Sequence, residues 1–165
     1  MVADLNPGHR LAPSRRSVLL GAGAAVLTSK AFAASSDKIA TGTADAMREA
    51  IRKLVGNAPI QPGRVKLDLP PLVENGNSVQ LAVTVDSPMS EEDHVTQIHL
   101  FSEKNPLPTM AVFFLGPRSG RASVVTRVRL ADSQTVTALC QMSDGSFWSD
   151  SASVLVTLAA CVEPI

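Results

Sequence analysis

A single cysteine near the end of the sequence is the residue best suited to covalent chemistry. Cys161 lies four residues before the end, in the stretch TLAACVEPI, directly after a run with the pattern of a β-strand. A cysteine thiolate is a good sulfur nucleophile, and the disulfide-like bonds that it forms are stable yet exchangeable. A thiol on a segment that trails from a domain can therefore hold a sulfur-containing group and present it to other proteins.

The other cysteine, Cys140, has the pattern of a core residue. It shares one face of the predicted strand QTVTALCQM with Val136, Ala138 and Met142. This position predicts a buried thiol. A Cys140–Cys161 disulfide is the alternative in an oxidising compartment. It requires the tail to fold back, because about twelve residues of extended chain span roughly 40 Å and disulfide-bonded Cα atoms lie within about 7 Å of each other.

The remaining sequence has no catalytic or cofactor-binding signature. It lacks a nucleophile elbow, a phosphate-binding loop and a dinucleotide fingerprint, so we expect no catalytic residue, no cofactor and no metal. In DHVTQIH, His94 and His99 lie near three acids and could suggest a metal site, but a solvated loop beside a strand histidine is the favoured interpretation. In GPRSGR, Arg118 and Arg121 could bind an anion, and a hairpin turn is favoured.

The first 33 residues have the pattern of an export signal. Arg15 and Arg16 precede an apolar stretch over residues 18–27 and a small-x-small site that ends at Ala33. This is the order of regions in a signal peptide, and SRRSVL is similar to the twin-arginine pattern. We therefore expect export to the periplasm by the twin-arginine route, with cleavage after Ala33. A membrane anchor is disfavoured, because a span needs roughly 20 apolar residues.

Cleavage would leave a mildly acidic protein. The whole chain has 15 basic and 15 acidic residues, and without residues 1–33 it has 11 basic and 14 acidic ones, a net charge of −3. Nucleic-acid-binding domains carry basic patches, so we expect no nucleic-acid partner. No later segment is long and apolar enough to span a membrane, so we expect no membrane contact after cleavage.

The periodicity predicts an all-β domain with one N-terminal helix. The stretch TADAMREAIRKLVG has apolar residues at helical spacing over residues 43–55, within a leader of residues 34–62. From Val65 onward the period is two, in the runs SVQLAVTVD, QIHLF, MAVFFL, ASVVTRVRL, QTVTALCQM and SVLVTL. Short strands at this spacing indicate an immunoglobulin-like antiparallel β-sandwich over residues 63–158. A cysteine-bearing arm, residues 159–165, follows it.

Several stretches of the chain occur in a succession that is typical of one family. They are ENGNSVQLAVTVDSPM, IHLFSEKNPLP, SGRASVVTRVRLADSQTVTAL and MSDGSFWS, followed by VTLAAC. Over residues 38–161 the chain thereby resembles the SoxY family, the sulfur-carrier subunit of the periplasmic thiosulfate-oxidising Sox system. The resemblance implies that Cys161 attaches the sulfur substrate covalently. It also implies a SoxZ-like second subunit and transient contacts with three enzymes: the cytochrome SoxAX for loading, SoxB for sulfate release and SoxCD for sulfane oxidation.

The residues around Cys161 depart from this family. Its arm usually reads Gly-Gly-Cys-Gly-Gly, whereas here two alanines precede the thiol and Val-Glu-Pro-Ile follows it. Alanine restricts the backbone more than glycine does, and bulk beyond the cysteine hinders entry into a narrow active site. A sulfur carrier is therefore the first hypothesis, and a non-carrier accessory or scaffold subunit of a periplasmic oxidation complex is the second. An enzyme with His94 or His99 as its base is a third, which no spacing supports.

Overall fold

Helix α1, Ala44–Val55, opens the part of the chain that this computed structural model describes, residues 44–160. One acid in its first turn and two basic residues in its last turn match the helix dipole. Its apolar stripe packs on a small cluster of sheet residues, formed by Phe101, Leu139 and Phe147. The predicted helix is confirmed. Arg15, Arg16 and Ala33, and with them the predicted signal peptide, lie outside the described residues.

The described residues contain nine strands in two sheets. The strands are β1 (Ile60–Gln61), β2 (Val65–Asp68), β3 (Leu72–Asn75), β4 (Val79–Val85), β5 (Val95–Ser102), β6 (Thr109–Phe114), β7 (Ser123–Val128), β8 (Gln134–Met142) and β9 (Phe147–Leu158). The larger sheet has the order β1-β9-β8-β5-β6, and β3 also pairs with β9. The smaller sheet has the order β2-β4-β7. Strands β6 and β7 therefore each form a sheet edge.

The two sheets pack face to face around one core. In β4 the buried residues alternate with more exposed ones, as expected for a strand with one face in a core. The core joins residues of β2 and β4 from the smaller sheet to residues of β5 and β8 from the larger one. The predicted all-β class with one helix is confirmed. The finer immunoglobulin-like assignment stays a prediction.

Strand β9 has more partners than the alternation predicted. It pairs antiparallel with β8 but in parallel with β1 and β3, whereas the predicted sandwich was antiparallel throughout. The pairing with β8 ends at Val154, and β3 pairs with the last residues of β9 beyond that point. The short parallel strands β1 and β3 show no alternation of apolar and polar residues, because they are too short to bury one face.

The GPRSGR stretch is not the hairpin turn that we predicted. Strands β6 and β7 do not pair with each other, since they belong to different sheets. The chain forms a short 3-10 turn at Pro117–Ser119 and crosses from the larger sheet to the smaller one. No helix in residues 44–160 is long and apolar enough to cross a membrane.

We predict that His99 makes the stability of the protein depend on pH. It is 8% exposed, and its ring stacks on Phe101 with 6.0 Å between centroids. Burial lowers the pKa of His99 below its ordinary value of 6.5, so the unfolded chain takes up this proton first. The stabilisation is complete above pH 6.5 and is lost as the pH falls through the folded-state pKa.

The melting temperature measured from about pH 7.5 to about pH 5 tests this dependence. We expect a smaller fall for His99→Phe than for the unsubstituted chain, because phenylalanine keeps the ring contact and cannot be protonated. An equal fall in both proteins would contradict the assignment.

Candidate functional site: the root of the C-terminal arm

The described residues end one position before Cys161, at the root of the predicted arm. Cys161 itself lies outside them. The root consists of the last residues of β9 and the two alanines that follow. Ala160 is only 5% exposed. The chain is therefore still part of the domain at the residue that precedes the cysteine.

A junction of three backbone hydrogen bonds holds the arm root. The N–H of Gly76 donates to the carbonyl of Leu158 at 2.8 Å, and the N–H of Leu130 donates to the carbonyl of Gly76 at 2.9 Å. The N–H of Ala160 then donates to the carbonyl of Leu130 at 3.0 Å. Leaving a buried backbone group unpaired costs about 1–3 kcal/mol. The junction therefore ties the end of β9 to the segments that follow β3 and β7.

Gly76 lies at the centre of this junction because a side chain does not fit there. A Cβ atom at this position would lie 2.4 Å from the carbonyl oxygen of Leu130 and 3.0 Å from the nitrogen of Ala160. Both neighbours are backbone atoms, so they cannot rotate away. Sequence reasoning missed this residue. The available signal was a glycine between two asparagines, which marks a turn directly before β4.

Two side chains form hydrogen bonds that fix the segment to which the arm root is bonded. The hydroxyl of Ser133 accepts the N–H of Val156 at 2.9 Å. The side-chain amide of Asn105, which is 8% exposed, donates to the carbonyl of Arg129 at 2.8 Å and accepts the N–H of Ala131 at 3.0 Å. Both contacts fix the chain between β7 and β8, to which Ala160 is bonded.

The arm root also presents apolar side chains to solvent. Leu72 of β3 lies opposite Leu155 of β9 in the parallel register. These two and Leu158 are each more than 60% exposed. Leu72 and Leu155 are paired and form a small apolar patch. Leu158 lies an odd number of positions further along β9, so its side chain is on the opposite face of the strand. Isolated exposed leucines are common.

An open groove lies between the edge strands β6 and β7, at the same end of the domain as the arm root. It has a volume of about 340 Å³. We call it the edge groove, and the side chains that matter for its chemistry are Leu107, Met110, Ala111, Arg127, Val128 and Arg129. Its lining therefore includes apolar residues and two arginines, and the guanidinium of Arg127 donates to the hydroxyl of Ser78 at 3.2 Å. Leu130, the acceptor of the Ala160 bond, directly follows this lining.

Cys140 is a buried core thiol, as predicted. Its side chain is fully buried, it pairs with Trp148 across β8 and β9, and it is a free cysteine. Burial raises the pKa of Cys140 to about 12, and the charge of Arg64 opposes that rise in part. The thiolate that sulfur chemistry requires is therefore not available at this position.

The two histidines considered for a metal site do not come together. The ring of His94 bonds the carbonyl of Ser90 at 3.0 Å, in the loop before β5. His99 lies within β5, where its Nε2 meets the side-chain oxygen of Gln97 at 2.8 Å. Residues 44–160 hold no group of three or more His, Cys, Asp or Glu side chains that could bind a metal ion.

We predict that Gly76→Ala weakens the arm root. The added methyl group forces the carbonyl of Leu130 or the amide of Ala160 to move, which should lower the free energy of unfolding by about 1–3 kcal/mol. Urea denaturation measures this. Gly116→Ala is the matched control, because Gly116 has an extended φ of −160° and no atom within 4 Å of its Cβ position. Equal stability of the two variants would contradict the packing at Gly76.

We also predict that Cys140 resists alkylation in the folded protein. At about pH 8 its thiol stays protonated and shielded, so iodoacetamide should not modify it until urea unfolds the chain. Peptide mapping by mass spectrometry measures the modified fraction. Modification of Cys140 under native conditions would contradict its burial.

Comparison with known proteins identifies the family of this chain. The family described as "Sulfur oxidation protein SoxY" matches residues 51–161. The sulfur carrier protein SoxY from Chlorobium limicola f thiosulfatophilum is 27% identical, with a TM-score of 0.58, over 70% of this chain and 100% of that one. Among curated proteins, none matches the chain.

The fold is also similar to that of superoxide reductases. The enzyme from Ignicoccus hospitalis, a neelaredoxin, is 17% identical with a TM-score of 0.51, over 57% of this chain and 80% of that one. A variant of that enzyme has the same TM-score at 19% identity, over 67% and 89% of the two chains. Likeness at this level concerns the fold alone. The family match is the informative one: the chain belongs to the SoxY family of sulfur oxidation proteins, a family of sulfur carriers and not of enzymes.

Proposed function

We propose that this chain is a periplasmic carrier that holds thiosulfate-derived sulfur covalently on Cys161. The family match extends to Cys161 itself. This match, which includes the cysteine, is the observation that carries the proposal. The hydrogen bond of 3.0 Å between Ala160 and Leu130 supports a cysteine that directly follows a residue fixed to the domain.

The attachment step forms one S–S bond. The Cys161 thiol loses its proton, its sulfur bonds to the outer sulfur of thiosulfate, and two electrons leave the pair. We propose that a haem-containing partner of the SoxAX type accepts those electrons. The product, Cys–S–S–SO₃⁻, is stable enough to carry and labile enough to exchange. Hydrolysis by a SoxB-like partner then consumes water, releases sulfate and leaves a persulfide for a SoxCD-like partner to oxidise.

The carrier domain contributes position rather than catalysis. A tether keeps the intermediate at high local concentration for each partner. The second thiol of the chain does not compete for substrate, because Cys140 is buried and protonated. The exposed pair Leu72 and Leu155, near the end of β9, supports contact with a protein partner.

The proposal includes export and a second subunit. The pair Arg15 and Arg16 and the cleavage site after Ala33 support delivery to the periplasm by the twin-arginine route. We propose that a SoxZ-like subunit completes the carrier there. No metal or organic cofactor is assigned to the chain itself.

A second candidate function rests on the residues that follow Cys161. Val162 and Glu163 stand where the usual arm has its two glycines after the cysteine, and Pro164 stiffens the chain beyond them, which favours an accessory or scaffold subunit that has lost carrier chemistry. Replacing residues 162–165 by glycines discriminates the two. A carrier hindered only by bulk should load faster on a SoxAX-type cytochrome after this change, whereas a scaffold should not load at all.

We predict that Cys161→Ser abolishes loading and leaves the fold intact. The test incubates the purified chain with thiosulfate and a SoxAX-type cytochrome and measures the intact mass before and after reductant. Cys140→Ala is the matched control and should still gain the reductant-sensitive mass, because Cys140 is buried. A Cys161→Ser variant that still gained this mass would overturn the assignment of the carrier residue.

A further inference from the structure

We propose that the free edge of β7 binds an extended acidic segment of another protein, in which apolar residues alternate with aspartate or glutamate. Strand β7 is the last strand of the smaller sheet and pairs with β4 on one side only. The proposal goes beyond the carrier function and does not rest on it, because it follows from the backbone, the charge and the packing of β7 alone.

The backbone of β7 has unpaired groups along this free edge. The N–H of Val85 donates to the carbonyl of Ala122, directly before β7, at 2.9 Å, and the register between β4 and β7 has no shift. Because bonded positions alternate along an antiparallel pair, the even-numbered residues of β7 bond β4. The N–H and carbonyl groups of Ser123, Val125 and Arg127 therefore point to the free edge. Within residues 44–160 no loop or side chain bonds them.

Other edge groups of the smaller sheet are capped by side chains. The carboxylate of Asp150 accepts the N–H of Leu67, at the free edge of β2, at 2.8 Å. The side-chain amide of Asn105 bonds the backbone directly beyond β7. Native proteins usually cover unpaired edge groups, because such groups are a template for pairing with another chain. The chain leaves the stretch from Ser123 to Arg127 open.

The open edge is basic. Four exposed arginines lie on β7 or close to its ends: Arg118, Arg121, Arg127 and Arg129. None of the four takes part in the salt bridges of the described domain, all of which use other cations. A second copy of the chain would bring the same positive charges to this edge, and like charges on neighbouring strands are destabilising. The charge therefore favours an acidic segment of a different protein.

The inward side of β7 has room for apolar side chains. Val124 and Thr126 face inward and are half-buried, whereas their partners in β4, Val83 and Leu81, are 0% and 1% exposed. The edge groove adjoins this side, and Met110 lines it. Successive side chains of an added strand would point to opposite faces. Apolar residues of the partner would then face the groove, and its carboxylates would lie beside the arginines.

The test measures the binding of two synthetic peptides to the whole chain by fluorescence anisotropy. One peptide alternates valine with glutamate and the other alternates valine with lysine, each over about ten residues, enough to pair with all of β7. At about pH 7 glutamate is ionised and lysine is protonated. We expect the glutamate peptide to bind and the lysine peptide not to bind. If neither or both bind alike, the arginines only protect the edge from pairing, and the proposal is wrong.

Amide hydrogen exchange, followed by NMR, locates the bound peptide. The glutamate peptide should slow the exchange of the outward N–H groups of Val125 and Arg127. Val112 has the matching position at the free edge of β6, because the N–H of Leu115 donates to the carbonyl of Thr96 in β5. Protection of Val112 in place of the two β7 amides would overturn the proposal. Protection at β7 without peptide that grows with protein concentration would also overturn it, because a second copy would then occupy the edge.

Charge reversal tests the role of the arginines. Arg127→Glu should weaken the binding of the glutamate peptide about tenfold, because it replaces an attractive contact by a repulsive one. Lys66→Glu is the matched control, since Lys66 is exposed on the same sheet, in β2, and also lacks a salt bridge within residues 44–160. At about 0.15 M salt the Debye length is about 8 Å, so the control should leave the affinity almost unchanged. Equal weakening by both would contradict binding at β7.

N-methylated peptides test the backbone pairing without a change in the protein. Methylation of alternate residues removes the N–H groups on one edge of the peptide only. Antiparallel pairing with β7 predicts that methylated glutamates abolish binding and methylated valines do not, and parallel pairing predicts the reverse. Equal binding of both methylated peptides would overturn strand addition. Failure of the carrier function is seen separately, as the absence of a thiosulfate adduct on Cys161, and leaves these results unchanged.

Discussion

The bond from Ala160 to Leu130 fixes the last described residue of the chain to the domain. It closes a junction in which Gly76 links the end of β9 to the segment after β7 through two further bonds. The junction needs a glycine, because a Cβ atom would lie 2.4 Å from the Leu130 oxygen. The position of the arm root thus depends on one residue that is more than eighty positions away in the sequence.

The same constraint holds the chain in the domain up to Ala160, which is 5% exposed. Releasing Ala160 requires the junction to open, at about 0.5–1.5 kcal/mol for each net hydrogen bond. Leu72 and Leu155, which lie opposite each other in the parallel register of β3 and β9, are exposed near this junction.

Sequence patterns predicted the parts of the fold that repeat regularly. The apolar stripe of α1 and the alternation in β4 depend on local spacing, and both correctly indicated which faces are buried. In β8 the alternation identified the face that holds Cys140, but the other face is buried too, since Leu139 packs in the cluster under α1. The burial of Cys140 followed from the same alternation. The parallel additions at β9 could not be predicted, because β1 and β3 are too short to show a period. The GPRSGR crossover was interpreted as a hairpin, because turn residues indicate a reversal but not which strands it joins.

The candidate site, too, could be predicted from the sequence only in part. Cys161 could be selected from its chemistry and from the family resemblance. The junction behind it and the edge groove could not, because both bring together residues that are far apart in sequence, such as Asn105, Arg129 and Ala160. Long-range backbone contacts leave no local pattern in the sequence. A single glycine such as Gly76 can occur for many structural reasons, so its role could not be predicted.

The central claim is that Cys161 carries sulfur, and the intact mass of the native protein tests it most directly. The protein would be isolated from cells grown on thiosulfate and measured with and without reductant, followed by mapping of the modified peptide. We predict a sulfur-containing adduct that reductant removes and that maps to Cys161. An unmodified Cys161 thiol in actively oxidising cells would contradict the carrier function.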